Sequence, residues 1–218
     1  MAPRTHIPVG TPFARNHFLW GLCATYGVLW IVAAVSPVDR QTWLLENLLV
    51  FAVIGVLALT HGRFVFSNLA YALIFAFLTL HVIGAHYTYS AVPFGDWLRD
   101  QAGLSRNHYD RGVHFAFGFL LAYPLREMTL RRVHAHRLWA FALPVLATLA
   151  LSSSYEIVEW LAARVVDPEI GMAYVGAQGD LWDGQKDMSL ALAGSIAAMS
   201  LTALYRRWVG REPYLGIE

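Results

Sequence analysis

Leu138-Trp-Ala-Phe-Ala-Leu-Pro-Val-Leu-Ala-Thr-Leu-Ala-Leu-Ser-Ser-Ser-Tyr-Glu156-Ile-Val-Glu159-Trp-Leu-Ala162 runs for twenty-five residues with two charges, both carboxylates near its end. A helix rises about 1.5 Å per residue, so such a run crosses the roughly 30 Å of hydrocarbon in a bilayer. Sliding the same window along the chain gives predicted spans at 18–36, 43–60, 64–87, 110–126, 138–162 and 187–205. The fourth has the shortest apolar run, fourteen residues between Arg111 and Arg126, and it spans if Tyr109 and Asp110 continue it into a polar end lined by protein. The expected fold is an all-α, polytopic membrane helical bundle of six transmembrane helices. It forms a single membrane domain over residues 1–218, without repeats or low-complexity tracts.

Composition points the same way. Of 218 residues, 57% are hydrophobic and 14% charged, with mean hydropathy +0.45, whereas soluble domains are about 45–50% apolar and about 25% charged. A formal net charge of +1 provides no basic field to hold a nucleic acid. Cys23, the single cysteine, lies in an apolar run, which excludes a disulfide framework and a cysteine-based zinc site. The first apolar run has nineteen residues, more than the roughly 7–15 of a secretory signal core, and reads as a retained helix.

Orientation follows from Lys and Arg, which are disfavoured in translocated loops. Ten fall on one side: Arg4, Arg15, Arg63, Arg126, Arg131, Arg132, Arg137, Arg206, Arg207 and Arg211. The other side has six, Arg40, Arg99, Arg106, Arg111, Arg164 and Lys186, among Asp39, Asp96, Asp100, Asp110, Asp167, Glu169, Asp180, Asp183 and Asp187. Both termini are therefore expected in the cytoplasm, with the acidic loops outside. His134 and His136, beside Arg131 and Arg132, read as contacts to anionic headgroups rather than as a site.

With that topology, unusual polar residues from distant segments collect at one depth, the outer third. They are His81 and His86 on the third span, Arg106, Asp110, Arg111 and His114 at the fourth, Ser152, Tyr155, Glu156 and Glu159 on the fifth, and Asp180, Asp183, Lys186 and Asp187 at the sixth. Glu46 sits near the outward start of the second. Residues three and four apart share a helix face, which groups Ser152, Tyr155, Glu156 and Glu159, pairs Asp110 with His114, and pairs Asp183 with Asp187. His81 and His86, five apart, diverge by about 140°, so at most one points straight at a common centre.

A carboxylate inside a span costs about 2.5–3.5 kcal/mol on insertion scales, so Glu156 and Glu159 need compensation. One solution is a divalent metal (zinc, manganese or iron) held by Glu156, Glu159, Asp183, Asp187 and His114, with His86 or Asp110 as general base or supporting partner. The other is a closed network in which Arg106, Arg111 and Lys186 neutralise the acids and Tyr87, Tyr109 and Tyr155 supply hydroxyls. Helix capping alone accounts for Asp110, Asp183 and Asp187, and Trp43, Trp97, Trp160 and Trp182 fit an interfacial belt. Glu156, Glu159 and His114 lie inside a span and cap nothing. The segment 92–103 mixes aromatic and charged residues, as an interfacial helix over the mouth or a Trp97-anchored loop would.

His86-Tyr-Thr-Tyr-Ser, Arg106-Asn-x-Tyr-Asp110-Arg-x-x-His114-Phe, Glu156-x-x-Glu159-Trp and Gln178-Gly-Asp-x-Trp-Asp183-x-Gln-Lys-Asp187-Met, in this order over nearly the whole chain, resemble the YjdF-like family of predicted bacterial inner-membrane proteins. The resemblance implies a multi-pass protein of the bacterial inner (cytoplasmic) membrane and no particular reaction. A lesser likeness is to VanZ-like membrane proteins, whose last helices carry a Glu followed by Asp-x-x-x-Asn-x-x-Gly. Asp187 and Gly194 fit that pattern, while Ala191 stands where it has Asn. This likeness implies an envelope or lipid-related role.

Three function classes follow. The first is a metal-dependent enzyme acting at the outer face on a lipid or lipid-linked envelope substrate, with membrane lipids as its partners. No His-x-x-x-His, Glu-x-x-His or Ser-x-x-Lys pair occurs among these residues to name the reaction. The second is a non-enzymatic binder or transporter of an ion or small solute with a salt-bridged polar cavity. Against it, the inner helix halves carry little polarity beyond Asn68, and Pro124 and Pro144 are the only prolines inside spans. The third is a scaffold packed through the small residues of the last helix, which leaves the paired buried acids unexplained. Nothing in the sequence sets the oligomeric state.

Overall fold

The computed structural model describes residues 10–136, 138–166, 168–210 and 212–213. Arg4, Arg137, Asp167 and Arg211 of the orientation count lie outside the described residues. The α-helices are α1 (His17–Ala34), α2 (Arg40–Thr60), α3 (Asn68–His86), α4 (Pro93–Ala102), α5 (Tyr109–Met128), α6 (Trp139–Val165), α7 (Pro168–Val175) and α8 (Asp183–Val209). A π-helical turn, Thr129–Val133, continues α5. There is no strand among the described residues.

Capping moves the helix bounds away from the apolar runs. Asn16, Asp39 and Ser67 accept from the N–H groups of Leu19, Thr42 and Ala70 at 3.0, 2.6 and 3.2 Å, which starts α1, α2 and α3. Phe64, Val65 and Phe66, expected to be helical, lie outside any helix. The physical reason is Glu127: fully buried, it accepts from the Ser67 backbone at 2.9 Å and hydroxyl at 2.7 Å, fixing Ser67 as the cap at which α3 starts. At the last helix, α8 begins at Asp183 and ends at Val209, beyond the 187–205 run on both sides.

Five helices, α1, α2, α3, α6 and α8, are long and apolar enough to cross a membrane. α5, the remaining expected span, has twenty residues but carries Asp110 and Arg111 at one end and Arg126 and Glu127 at the other. It packs against α3, α6 and α8, so those charges meet protein rather than lipid. The α5–α8 contact is close because of two glycines. A Cβ on Gly118 would collide with the Ala191 carbonyl, and one on Gly194 with the Phe115 carbonyl, the small-residue packing by which helices approach without a hydrophobic drive. A separate core of Tyr26, Val50, Ile74, Phe77, Val82 and Val113 ties α1, α2, α3 and α5 together.

Both described chain ends lie at the arginine-rich end of the bundle. The Phe13 N–H donates to His61 at 3.1 Å, and Glu212 pairs with Arg126 at 2.5 Å and Arg206 at 2.8 Å. Arg126, counted above as a loop cation, is fully buried: it also donates to the Ala140 carbonyl and lies 3.8 Å over the Phe141 ring. Reporters fused after Arg132 or at either terminus are expected to read cytoplasmic, and those inserted near Gly103 or Gly171 external. An externally reported C-terminus would reverse the orientation.

The 92–103 segment folds as α4, opened by Pro93 at its first position and closed by Gly103 at φ 62°. Asn107 pins it, donating to the Val92 carbonyl at 3.0 Å and Asp96 at 3.1 Å. Phe94 and Trp97 stack on its exposed face, as an interfacial helix requires.

Candidate metal centre

The ends of α5, α6 and α8 remote from the arginine-rich end of the bundle hold two polar layers one helical turn apart, of which the one nearer the helix ends is the outer layer. In the outer layer Arg106, buried, binds both oxygens of Asp183 and donates to the carbonyls of Ala177 at 3.0 Å and Gly176 at 3.2 Å. Arg111 pairs with Asp180, reaches Asp183 at 3.3 Å, and lies 3.3 Å from His108 Nδ1. Lys186, half-exposed, pairs with Asp180 at 2.6 Å. Asn107 and Gln178 exchange two hydrogen bonds, 3.1 and 2.9 Å, so the turn before α8 is tied to the start of α5. Lys186, then the Trp182 N–H, hold the Asp180 carboxyl well below the ordinary range. Burial, followed by Arg111 and Arg106, pushes His108 down, keeping it neutral as the acceptor for Arg111.

The inner layer has no permanent cation of its own. Asp110, His114 and Asp187 each offer a ligand atom, and these atoms lie within 4.8 Å of one another. His114 Nε2 is 3.6 Å from Asp110 Oδ1 and 3.6 Å from Glu156 Oε1. Glu156 leans on α8 at Gly184, where a Cβ would stand 2.7 Å from its Oε2, so the glycine makes room for the carboxylate. Asp187 is 2% exposed, and its Oδ1 is buried with no hydrogen-bond partner; Glu156 Oε1 is likewise unpartnered. A buried acceptor left this way costs about 1–3 kcal/mol, more when charged.

Beyond this layer, between α2, α3, α5 and α6, is a cavity of about 50 Å³ walled in part by Asp110, His114, Ser152, Tyr155 and Glu159. That volume holds a few waters, and the unpartnered Ser152 hydroxyl on its wall calls for one. Tyr155 donates to Glu46 at 3.1 Å, and Glu46 is buried. Of the two histidines on α3, His81 takes the inward direction: Tyr89 donates to its Nδ1 at 2.5 Å, and its Nε2 donates to the Glu46 carbonyl at 3.0 Å. His86, expected as a base, instead lies 2.8 Å from the Ala33 carbonyl at the end of α1. The 140° divergence puts it on that neighbour and away from the inner layer.

The sequence-based pool thus divides. Asp110, His114, Asp187 and Glu156 come together; Glu159 and Tyr155 share the adjoining cavity; Asp183 joins Arg106, Arg111 and Lys186 in the outer layer. The arginines pair with Asp180 and Asp183 rather than with Glu159.

Residues 18–208 match the family described as Predicted membrane protein (DUF2238). Inner membrane protein YjdF of Escherichia coli (strain K12) is 36% identical over 183 residues, covering 83% of this chain and 87% of that protein. The chain belongs to this family of predicted membrane proteins. Every residue of both polar layers, from Arg106 to Asp187, falls inside the family match. No solved structure matches the chain. With its YjdF relative in the inner membrane of E. coli and five apolar helices of its own, this DUF2238 chain is a multi-pass inner-membrane protein.

Sequence reasoning noted His81, Ser152 and Glu46 without giving them a role, and it missed the Arg126–Glu212–Arg206 cluster. The i,i+4 spacing of Glu127 and Arg131, which pair, was a readable signal for the neighbouring cluster. Nothing local points to Glu212.

Proposed function

We propose that Asp110, His114, Asp187 and Glu156 form a divalent-cation centre of a membrane-embedded enzyme acting on a lipid or lipid-linked envelope substrate at the outer face. In this reading α5 crosses the membrane as a sixth span and both termini are cytoplasmic. One observation carries the metal: five carboxylates in the two layers, Asp110, Asp180, Asp183, Asp187 and Glu156, face three permanent cations, Arg106, Arg111 and Lys186. With all five ionised, the shortfall of two positive charges is that of one divalent ion, and the oxygens of Asp187 and Glu156 without a hydrogen-bond partner among the described residues lie where it arises.

Mixed carboxylate and imidazole donors suit zinc, manganese or iron. Such an ion would act as a Lewis acid or lower the pKa of a bound water. Glu159, which lines the adjoining cavity, would orient that water. In this reading the site opens at headgroup depth, and Trp160, Leu161 and Trp182, neighbours in sequence of Glu159 and Asp183, are large, apolar and exposed, which favours an amphiphilic substrate. Incubating metal-loaded protein with an envelope lipid extract, followed by mass spectrometry, tests the enzyme reading. A lipid species should be consumed by the loaded protein and spared by the chelated one. Unchanged extracts would refute it.

A binder or transporter is the second reading, favoured by the unpartnered, buried hydroxyls of Ser152 and Thr148, which continue the polar face of α6 one turn inward. Metal-dependent flux into sealed liposomes, with no lipid turnover, is its signature.

A further inference from the structure

At the arginine-rich end, an open groove of about 410 Å³ runs between α6 and α8, lined by Leu138, Phe141 and Val145 on one side and Ile196, Met199 and Ala203 on the other. We infer that this groove is a binding site for one anionic glycerophospholipid, an acyl chain lying in it and the phosphate held at Arg207. This is independent of the proposed metal centre, which sits at the opposite end of the bundle.

Depth is the first argument. From Leu138 to Leu146, both on the groove, α6 rises roughly 12 Å at about 1.5 Å per residue, close to the half-thickness of a hydrocarbon core of roughly 30 Å. The groove therefore accommodates the chain of a lipid in one leaflet. Exposed Trp139 and Trp208 lie in the terminal turns of α6 and α8 at this end of the bundle, and aromatics so placed mark the headgroup level.

Charge is the second. Arg126, Arg131 and Arg206 are each engaged by a carboxylate, Glu212 or Glu127. Arg207 is exposed and makes no ion pair among the described residues. It lies four residues beyond Ala203, one turn farther along the face of α8 that lines the groove, within side-chain reach of the groove's end. A planar donor at headgroup depth above an apolar trough matches a phosphodiester attached to an acyl chain.

The test is intact-complex mass spectrometry of the full-length protein titrated with phosphatidylglycerol or phosphatidylcholine, with circular dichroism confirming the fold of each variant. Wild type should retain one phosphatidylglycerol in preference to phosphatidylcholine. Arg207→Gln should weaken retention of the anionic lipid about fivefold, the attraction of one arginine for an anionic headgroup. Ala203→Trp, which fills the groove, should release both lipids, and Ala142→Phe serves if that variant does not fold. Equal retention of the two lipids by wild type, or undiminished retention by the filled groove, would overturn the inference. A dimer dissociated by the groove-filling change would assign the surface to a second copy instead.

Discussion

Asp183→Asn is expected to destabilise the bundle by about 3–5 kcal/mol, the usual cost of removing one partner from a buried ion pair. Arg106 is 6% exposed and gives two hydrogen bonds to Asp183, while its nearest other carboxylate, Asp180, is 3.9 Å away and already shared by Arg111 and Lys186. The substitution leaves the buried Arg106 charge with only the distant, shared Asp180 as counter-ion. Its contacts to the carbonyls of Gly176 and Ala177 also loosen, freeing the turn that precedes α8. Thermal unfolding in detergent measures the effect, and a wild-type melting temperature would mean that the outer layer is not what holds α5 to α8.

Asp187→Asn, one turn deeper on the same face of α8, is expected to act in the opposite way. Its carboxylate pairs with no arginine or lysine among the described residues, so its loss strands none of those cations and relieves a buried negative charge. The fold should persist with unchanged or raised stability in the absence of metal. Divalent-ion affinity should fall by roughly 100-fold, at or beyond the upper end of what loss of a partner behind the ligands costs. Isothermal titration of zinc or manganese into chelated protein reads this directly. Tight binding retained by Asp187→Asn would remove that residue from the centre. Glu159→Gln is a graded comparison: it alters the cavity wall, breaks no ion pair, and should weaken binding less than Asp187→Asn.

Why two acids four residues apart behave so differently marks the limit of reading by spacing. The i,i+4 rule put Asp183 and Asp187 on one face, and both face α5. Which neighbour each meets depends on how far α5 is shifted along α8, and that shift is set by the approach of Gly118 and Gly194, a matter of packing. The candidate cage ligands and the salt-bridge network, alternatives in the sequence, consequently occupy adjacent turns. The apolar helices were legible because hydropathy over some twenty residues survives any packing. α5 was harder, because a helix enclosed by others can carry charges at both ends. Tyr89 settles the choice between His81 and His86 from a turn outside α3, and Glu212 reaches Arg126 from eighty-six residues away; neither contact leaves a local pattern.

The central claim is that the inner layer holds a divalent ion, and elemental analysis of protein purified without chelator, with Asp187→Asn beside it, tests it most directly. The account predicts about one zinc, manganese or iron per wild-type chain and almost none in the folded variant. Wild type that stays metal-free even after incubation with each ion, or equal metal in both proteins, would contradict it.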